Sequence, residues 1–245
     1  MEHNGSANPT SQGFSASSSN TNVQVGPTTV GGVEAWRIMD PGIDPGGKVN
    51  SNYYLKTFDN NVLIDLMTNG WSMKATVSVP VDDPTTNTAW AVSSQMWVGG
   101  YYKHAASPDL ASIEASTQRI AWAFMLGRDA SNQTVVSLHG YSPAQTTLAP
   151  GFHDYEFIYN PVTKKASTYI DGVFWTEYAG AVSTAETANM FYWGDNNQQS
   201  AATHRPMAAY YSHVAYTIAP EPSMAVLSLA GFASLLLRRK RVDSS

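Results

Sequence analysis

Two stretches of this chain set aromatic rings beside polar side chains, as a shallow sugar site requires. The first holds Trp97, Tyr101, Tyr102 and His104 around Gly99 and Gly100. The second runs from Trp193 through Asp195, Asn196 and Asn197, with His204 and Arg205 in the loop that follows. A ring stacks on the apolar side of a sugar, and a few placed donors and acceptors read its hydroxyls. The same rings would equally fill a β core or an edge strand, so both uses stand as candidates. Asp195, Asn196 and Asn197 could offer loop oxygens to a calcium ion, or close a turn with their own side chains. No other cofactor is expected. The six histidines are scattered, and no two fall at the i, i+4 spacing of a helical metal pair.

Catalysis would ask for more. Cleaving a glycosidic bond takes two carboxylates about 5–9 Å apart, and on a strand residues i and i+2 share a face at about 7 Å. Asp154 and Glu156 have that spacing, but they alternate with Tyr155 and Phe157 and read as the wet face of a strand. Glu34 and Glu114 stand alone. Neither Gly-x-Ser-x-Gly nor His-Glu-x-x-His occurs. No catalytic residue is assigned. The expectation is a binding or structural domain, with a polysaccharide hydrolase as the alternative.

The elements that must position these residues are mostly strands. Trp71, Met73, Ala75, Val77 and Val79 alternate with Ser72, Lys74, Thr76 and Ser78, a half-buried strand. Ile120, Trp122, Phe124 and Leu126 share one face of a second, and Tyr155, Phe157 and Tyr159 one face of a third. Residues 165–170 and 173–178 flank Asp171-Gly172, a two-residue hairpin signal. Tyr210, Ser212, Val214, Tyr216 and Ile218 form the last strand, and residues 91–101 and 133–139 are weaker candidates. Only residues 53–67, with Leu55, Leu63, Ile64 and Leu66, allow a helical turn. Many short strands between turn signals predict an all-β sandwich of two antiparallel sheets. Residues 1–32 are rich in Ser, Asn, Thr and Gly, with Phe14 nearly alone as a large apolar side chain. They read as a disordered leader, leaving an ordered domain at 33–218. Charged residues make up only 13% of the chain and the net charge is −5. With no basic patch before residue 238, nucleic acid is excluded as a partner. The chain has no cysteine, which removes disulfides, iron–sulfur clusters and thiol catalysis.

The stretch Gly151-Phe-His-Asp-Tyr-Glu-Phe-Ile-Tyr-Asn-Pro-Val-Thr-Lys-Lys-Ala-Ser-Thr-Tyr-Ile-Asp-Gly-Val-Phe-Trp175 resembles a concanavalin A-like lectin/glucanase domain of the laminin-G or pentraxin type. Met190-Phe-Tyr-Trp-Gly-Asp195 and Ala208-Ala-Tyr-Tyr-Ser-His-Val-Ala-Tyr216 are similar to its closing strands, and Trp36-Arg-Ile-Met-Asp40 and Gly70-Trp71 to its opening ones. The likeness implies a two-sheet jelly roll over residues 33–218, with first and last strands adjacent, and a lectin-like role in binding glycans or matrix polymers. Glucanases of this type carry Glu-x-Asp-x-x-Glu on a strand, and no such run occurs here. Sialidases resemble the fold only in their accessory lectin modules.

Residues 219–245 form a separate unit. Pro220-Glu221-Pro222 is followed by an uncharged apolar segment at 223–237, then by Arg238, Arg239, Lys240 and Arg241. This order closely resembles the PEP-CTERM sorting signal of Gram-negative envelope proteins. As a helix the apolar run reaches roughly 20 Å, short of a hydrocarbon core about 30 Å thick. Snorkelling of the flanking arginines and local thinning can close that gap. Adjacent cations favour the cytoplasmic side. The resemblance implies an exported chain, held transiently in the inner membrane, cut near the motif by an exosortase and released to the cell envelope or the exterior. Export needs an N-terminal signal, and residues 1–5 show neither a basic nor an apolar region. The expectation is that the true start lies upstream.

Overall fold

Trp71, Met73, Ala75 and Val77 are at most 1% exposed, while Ser72, Lys74 and Thr76 between them are only partly buried. That alternation marks the central strand of one sheet. The computed structural model describes residues 1–18, 25–40, 51–80, 96–103, 105, 108–129, 131, 133–184, 189–195 and 207–218. In chain order the strands are β1 (Glu2–Asn4), β2 (Ser15–Ser18), β3 (Val25–Val30), β4 (Val33–Asp40), β5 (Asn52–Thr57), β6 (Trp71–Ser78), β7 (Met96–Lys103) and β8 (Gln118–Arg128). There follow β9 (Thr134–Leu138), β10 (Tyr141–Leu148), β11 (Phe152–Asn160), β12 (Lys165–Ile170), β13 (Val173–Tyr178), β14 (Ala181–Thr184), β15 (Met190–Asp195) and β16 (Met207–Ile218). Two short helices, α1 (Asn60–Asn69) and α2 (Leu110–Ala115), interrupt them.

The strands make two antiparallel sheets. One has the order β13-β12-β11-β6-β16-β4-β3, with β1 also on β16. The other has the order β10-β9-β8-β7-β15-β5-β2, with β14 also on β8. Rings from the two inner faces interlock. Trp71 lies 5.6 Å from Trp122 and stacks on Tyr159 at 5.5 Å, and Phe124 meets Phe157 at 4.3 Å. The strands expected at 71–79, 120–126, 155–159 and 210–218 form, as do β9 and, from Met96 on, β7. Asp171 and Gly172 have φ of 52° and 75°, the left-handed pair that a type I′ hairpin demands. The opening strand β4 lies beside the closing strand β16. Residues 53–67 divide between β5 and α1, because the Asp59 carboxylate accepts the Val62 N–H at 2.9 Å and caps the helix there.

The reading of residues 1–32 as a disordered leader is corrected. Glu2–Asn4 pairs with β16, Ser15–Ser18 with β5 and Val25–Val30 with β4. Two buried rings anchor the segment despite its polar composition. His3 stacks on Trp193 at 4.8 Å, and Phe14 meets the same indole edge-on at 5.7 Å. The β3–β4 hairpin closes through Gly31-Gly32, with Val30 opposite Val33. The tail at 219–245, with the sorting motif, apolar segment and basic cluster, lies outside the described residues. Among the described residues no helix is long and apolar enough to cross a membrane.

His3 makes the N-terminal clip sensitive to acid. Its side chain is fully buried, with Nδ1 2.6 Å from the Gln12 side-chain oxygen. Burial holds its pKa below the usual histidine value, and burial followed by the Arg119 charge does the same for His139. The unfolded chain therefore takes up these protons more readily than the folded one. The contribution is complete above about pH 6.5 and declines as pH falls toward the depressed folded values. Thermal melts should show Tm falling between pH 7.5 and 5. His3→Phe keeps a ring against Trp193 and cannot be protonated, so it should flatten part of that fall. An unchanged slope in this variant would contradict the assignment.

Candidate functional site

The two aromatic stretches are adjacent strands. β15 pairs with β7 so that Gly194 faces Trp97, Tyr192 faces Gly99 and Met190 faces Tyr101. Alternation then sends part of each set inward. Tyr102 is fully buried, 5.7 Å from both Trp71 and Trp122, and burial pushes its hydroxyl pKa far up. Trp193 is fully buried between His3 and Tyr54, whose ring it meets at 5.0 Å. Asp195 is 1% exposed, and its charge adds to burial in raising the Tyr211 pKa. These three are therefore core residues rather than surface contacts. His104, Asn196, Asn197, His204 and Arg205, and the side chains of Trp97 and Tyr101, lie outside the described residues. For the calcium reading, Asp195 points into the interior. Among the described residues no group of three His, Asp or Glu side chains is placed to hold a metal.

The opposite face of the same sheet carries a second, smaller apolar cluster. Ala121, Ala123, Met190 and Tyr192 are buried there, with Tyr53, Leu55 and Met125 partly buried against them. Tyr53 meets Tyr192 edge-on at 6.1 Å. Between these walls the floor is low. Gly99 lies opposite Tyr192 on one side and Ala123 on the other. A Cβ on Gly99 would stand 2.5 Å from both the Ala123 methyl and the Trp122 carbonyl oxygen, so no larger residue fits. Ser137, opposite Met125, has a buried hydroxyl with no hydrogen-bond partner. The result is a trough floored by glycine and alanine, whose partly exposed side chains are Tyr53, Leu55 and Met125, while the Tyr192 ring and the Ser137 hydroxyl are buried. Its described strand positions include no Asp or Glu. Of the described rings on this face, Tyr53 is the one that can offer part of its surface to a sugar.

The carboxylates weighed for catalysis lie elsewhere. Glu34 is exposed on β4 and accepts from the Ser6 hydroxyl at 3.3 Å, and Glu114 is exposed on α2. Asp154 is bound by Lys74 at 2.8 Å and by the Thr76 hydroxyl at 2.6 Å. Partial burial raises its pKa, but these two bonds outweigh it and hold the carboxyl below its usual range. Tyr53, Tyr192 and Ser137 were not singled out in the sequence. The signal for Tyr192 was its place one residue before Trp193, on the other face of β15.

Two antiparallel sheets define the class, a concanavalin A-like sandwich of the lectin/glucanase type. The model of the family described as the lectin insertion of the Vibrio cholerae sialidase matches residues 65–205, more than half of the chain. The chain belongs to that family. No curated protein matches it in sequence. Among solved structures, a carbohydrate esterase from the Shiga toxin-encoding bacteriophage phi24B superposes with a TM-score of 0.53 at 16% identity, over 90% of this chain and 98% of that one. A Shewanella oneidensis protein of unknown function gives a TM-score of 0.48 at 10% identity, over 88% and 84%. A sialidase gives 0.44 at 9% identity, over 87% of this chain and 19% of that one. At these identities the likeness concerns the fold alone.

Proposed function

We propose that this chain is a non-catalytic, lectin-like protein of the cell envelope or exterior that binds carbohydrate in the trough on the outer face of β5, β15, β7 and β8. The observation that carries this reading is the match to a sialidase lectin insertion across residues 65–205, which include three of those four strands. The partly exposed Tyr53 ring and the small-residue floor support it. The competing reading is a polysaccharide-active enzyme, favoured by the fold shared with the phage carbohydrate esterase. The same sandwich hosts both kinds of protein, so the fold does not decide between them. A glycan array beside a reducing-sugar and ester-hydrolysis assay on one preparation separates the two. Binding without released product supports the lectin reading, and turnover overturns it.

The same proposal places the protein outside the cytoplasm. Its support is the ordered triple of Pro220-Glu221-Pro222, an uncharged apolar segment and Arg238-Arg239-Lys240-Arg241. An exosortase-type enzyme is then the processing partner, and the inner membrane a transient station. In a host with an active exosortase, deletion of 238–241 should leave uncut precursor in the membrane fraction. Mass spectrometry of the mature wild-type protein should find the chain ending near the motif. A mature chain that retains Ser245 would overturn this part of the reading.

A further inference from the structure

A cavity of about 410 Å³ opens at the end of the sandwich where β8 begins and β11 ends. That volume falls within the range of about 300–1,000 Å³ typical of small-molecule sites. Its buried walls are Ile113 of α2, Ile120 and Trp122 of β8 and Tyr159 of β11, while Lys164 and Val182 stand exposed at the mouth. The Trp122 and Tyr159 rings, 0% and 3% exposed, pack edge to face at 5.4 Å and close the floor of the cavity. Burial pushes the Tyr159 hydroxyl up to about 12, so it stays a neutral phenol.

Two lysines point to a negative charge on the occupant. Lys103 and Lys164 both line the cavity, and the described ion pairs give neither a carboxylate. The Trp122 indole N–H is buried and has no acceptor. The wall beside it is Gly180, where a Cβ would stand 2.9 Å from Trp122 Cε2, the carbon bonded to that nitrogen. The backbone at Gly180 thus closes over that edge of the indole, and the charge preference of the cavity rests on the two lysines. Lys164 also holds φ of 55°, a conformation that residues other than Gly, Asn and Asp seldom adopt and that often marks functional sites.

We propose that this cavity is a second binding site, separate from the trough, for a small apolar carboxylate. Its apolar body lies against the aliphatic lining that includes Met67, Pro108 and Val182. The carboxylate takes charge-assisted bonds from Lys103 and Lys164.

The test uses the full chain with 2-naphthoate as probe and 2-naphthylmethanol as its neutral twin. Calorimetry should give binding of the carboxylate about tenfold or more tighter than the alcohol, the scale of one charge-assisted bond. The Trp122 indole N–H resonance should shift on titration. Lys103→Met and Lys164→Met should each weaken naphthoate by about tenfold. Lys164→Asn should also weaken it while raising Tm, because asparagine tolerates the left-handed turn better. Ile113→Trp should fill the cavity and abolish binding. If that variant fails to fold, the lysine variants still decide. Equal affinity for alcohol and carboxylate, no shift at Trp122, or no effect of either lysine would overturn the proposal.

Discussion

Replacing Trp71 by alanine should cost about 3–5 kcal/mol, the range for truncating a buried tryptophan. The side chain is 1% exposed. Its ring lies within 6.3 Å of the rings of Tyr102, Trp122, Phe157, Tyr159 and Tyr216, so it touches both sheets at once. Truncation leaves a void that the surrounding rings, fixed on strands, can only partly fill. Domains are stable by only about 5–15 kcal/mol, so the loss is a large share of the total. Urea denaturation followed by circular dichroism should place the midpoint far below that of wild type, with Trp71→Phe between them. A loss under about 1 kcal/mol would contradict this view of the core. The consequence reaches the trough. β7 and β8 keep their place over β6 through the same rings, so the alanine variant should also lose whatever ligand the outer face binds.

Much of this core is legible in the sequence, because one face of each strand is apolar and the other is not. The alternation at 71–79 identifies Trp71 as buried before any coordinates, and Asp171-Gly172 announces its hairpin. β15 defeats the same logic. All six residues of Met190–Asp195 are buried, since the strand is central and its outer face carries its own cluster. A period of two says that Trp193 and Phe191 share a face, and that Tyr192 and Met190 share the other. It does not say which face meets the other sheet, so Trp193 stood as a candidate contact while Tyr192 went unremarked. The N-terminal segment fails for a different reason. Low apolar content predicts disorder on average, yet one histidine and one phenylalanine seated on Trp193 anchor it. Gly31-Gly32 between two valines was a readable hairpin signal there. Helix α2 has only six residues, too few for a periodicity to stand out.

The trough gives the second large effect. Tyr53 is its most accessible described ring, partly exposed on β5 and set edge-on to Tyr192. Truncating an aromatic anchor at the centre of a binding surface commonly costs 2 kcal/mol or more, about thirtyfold in affinity. Tyr53→Ala should therefore bind glycan at least about tenfold more weakly while melting within a few degrees of wild type.

The most direct measurement is a calorimetric titration of wild type and Tyr53→Ala with the glycan that ranks highest on the array, followed by mass analysis of the saccharide recovered from the cell. The lectin reading predicts saturable binding by wild type, a loss of at least about tenfold in the variant, and a saccharide recovered intact. Equal affinity in the two proteins, or a saccharide shortened or stripped of an ester, would contradict it.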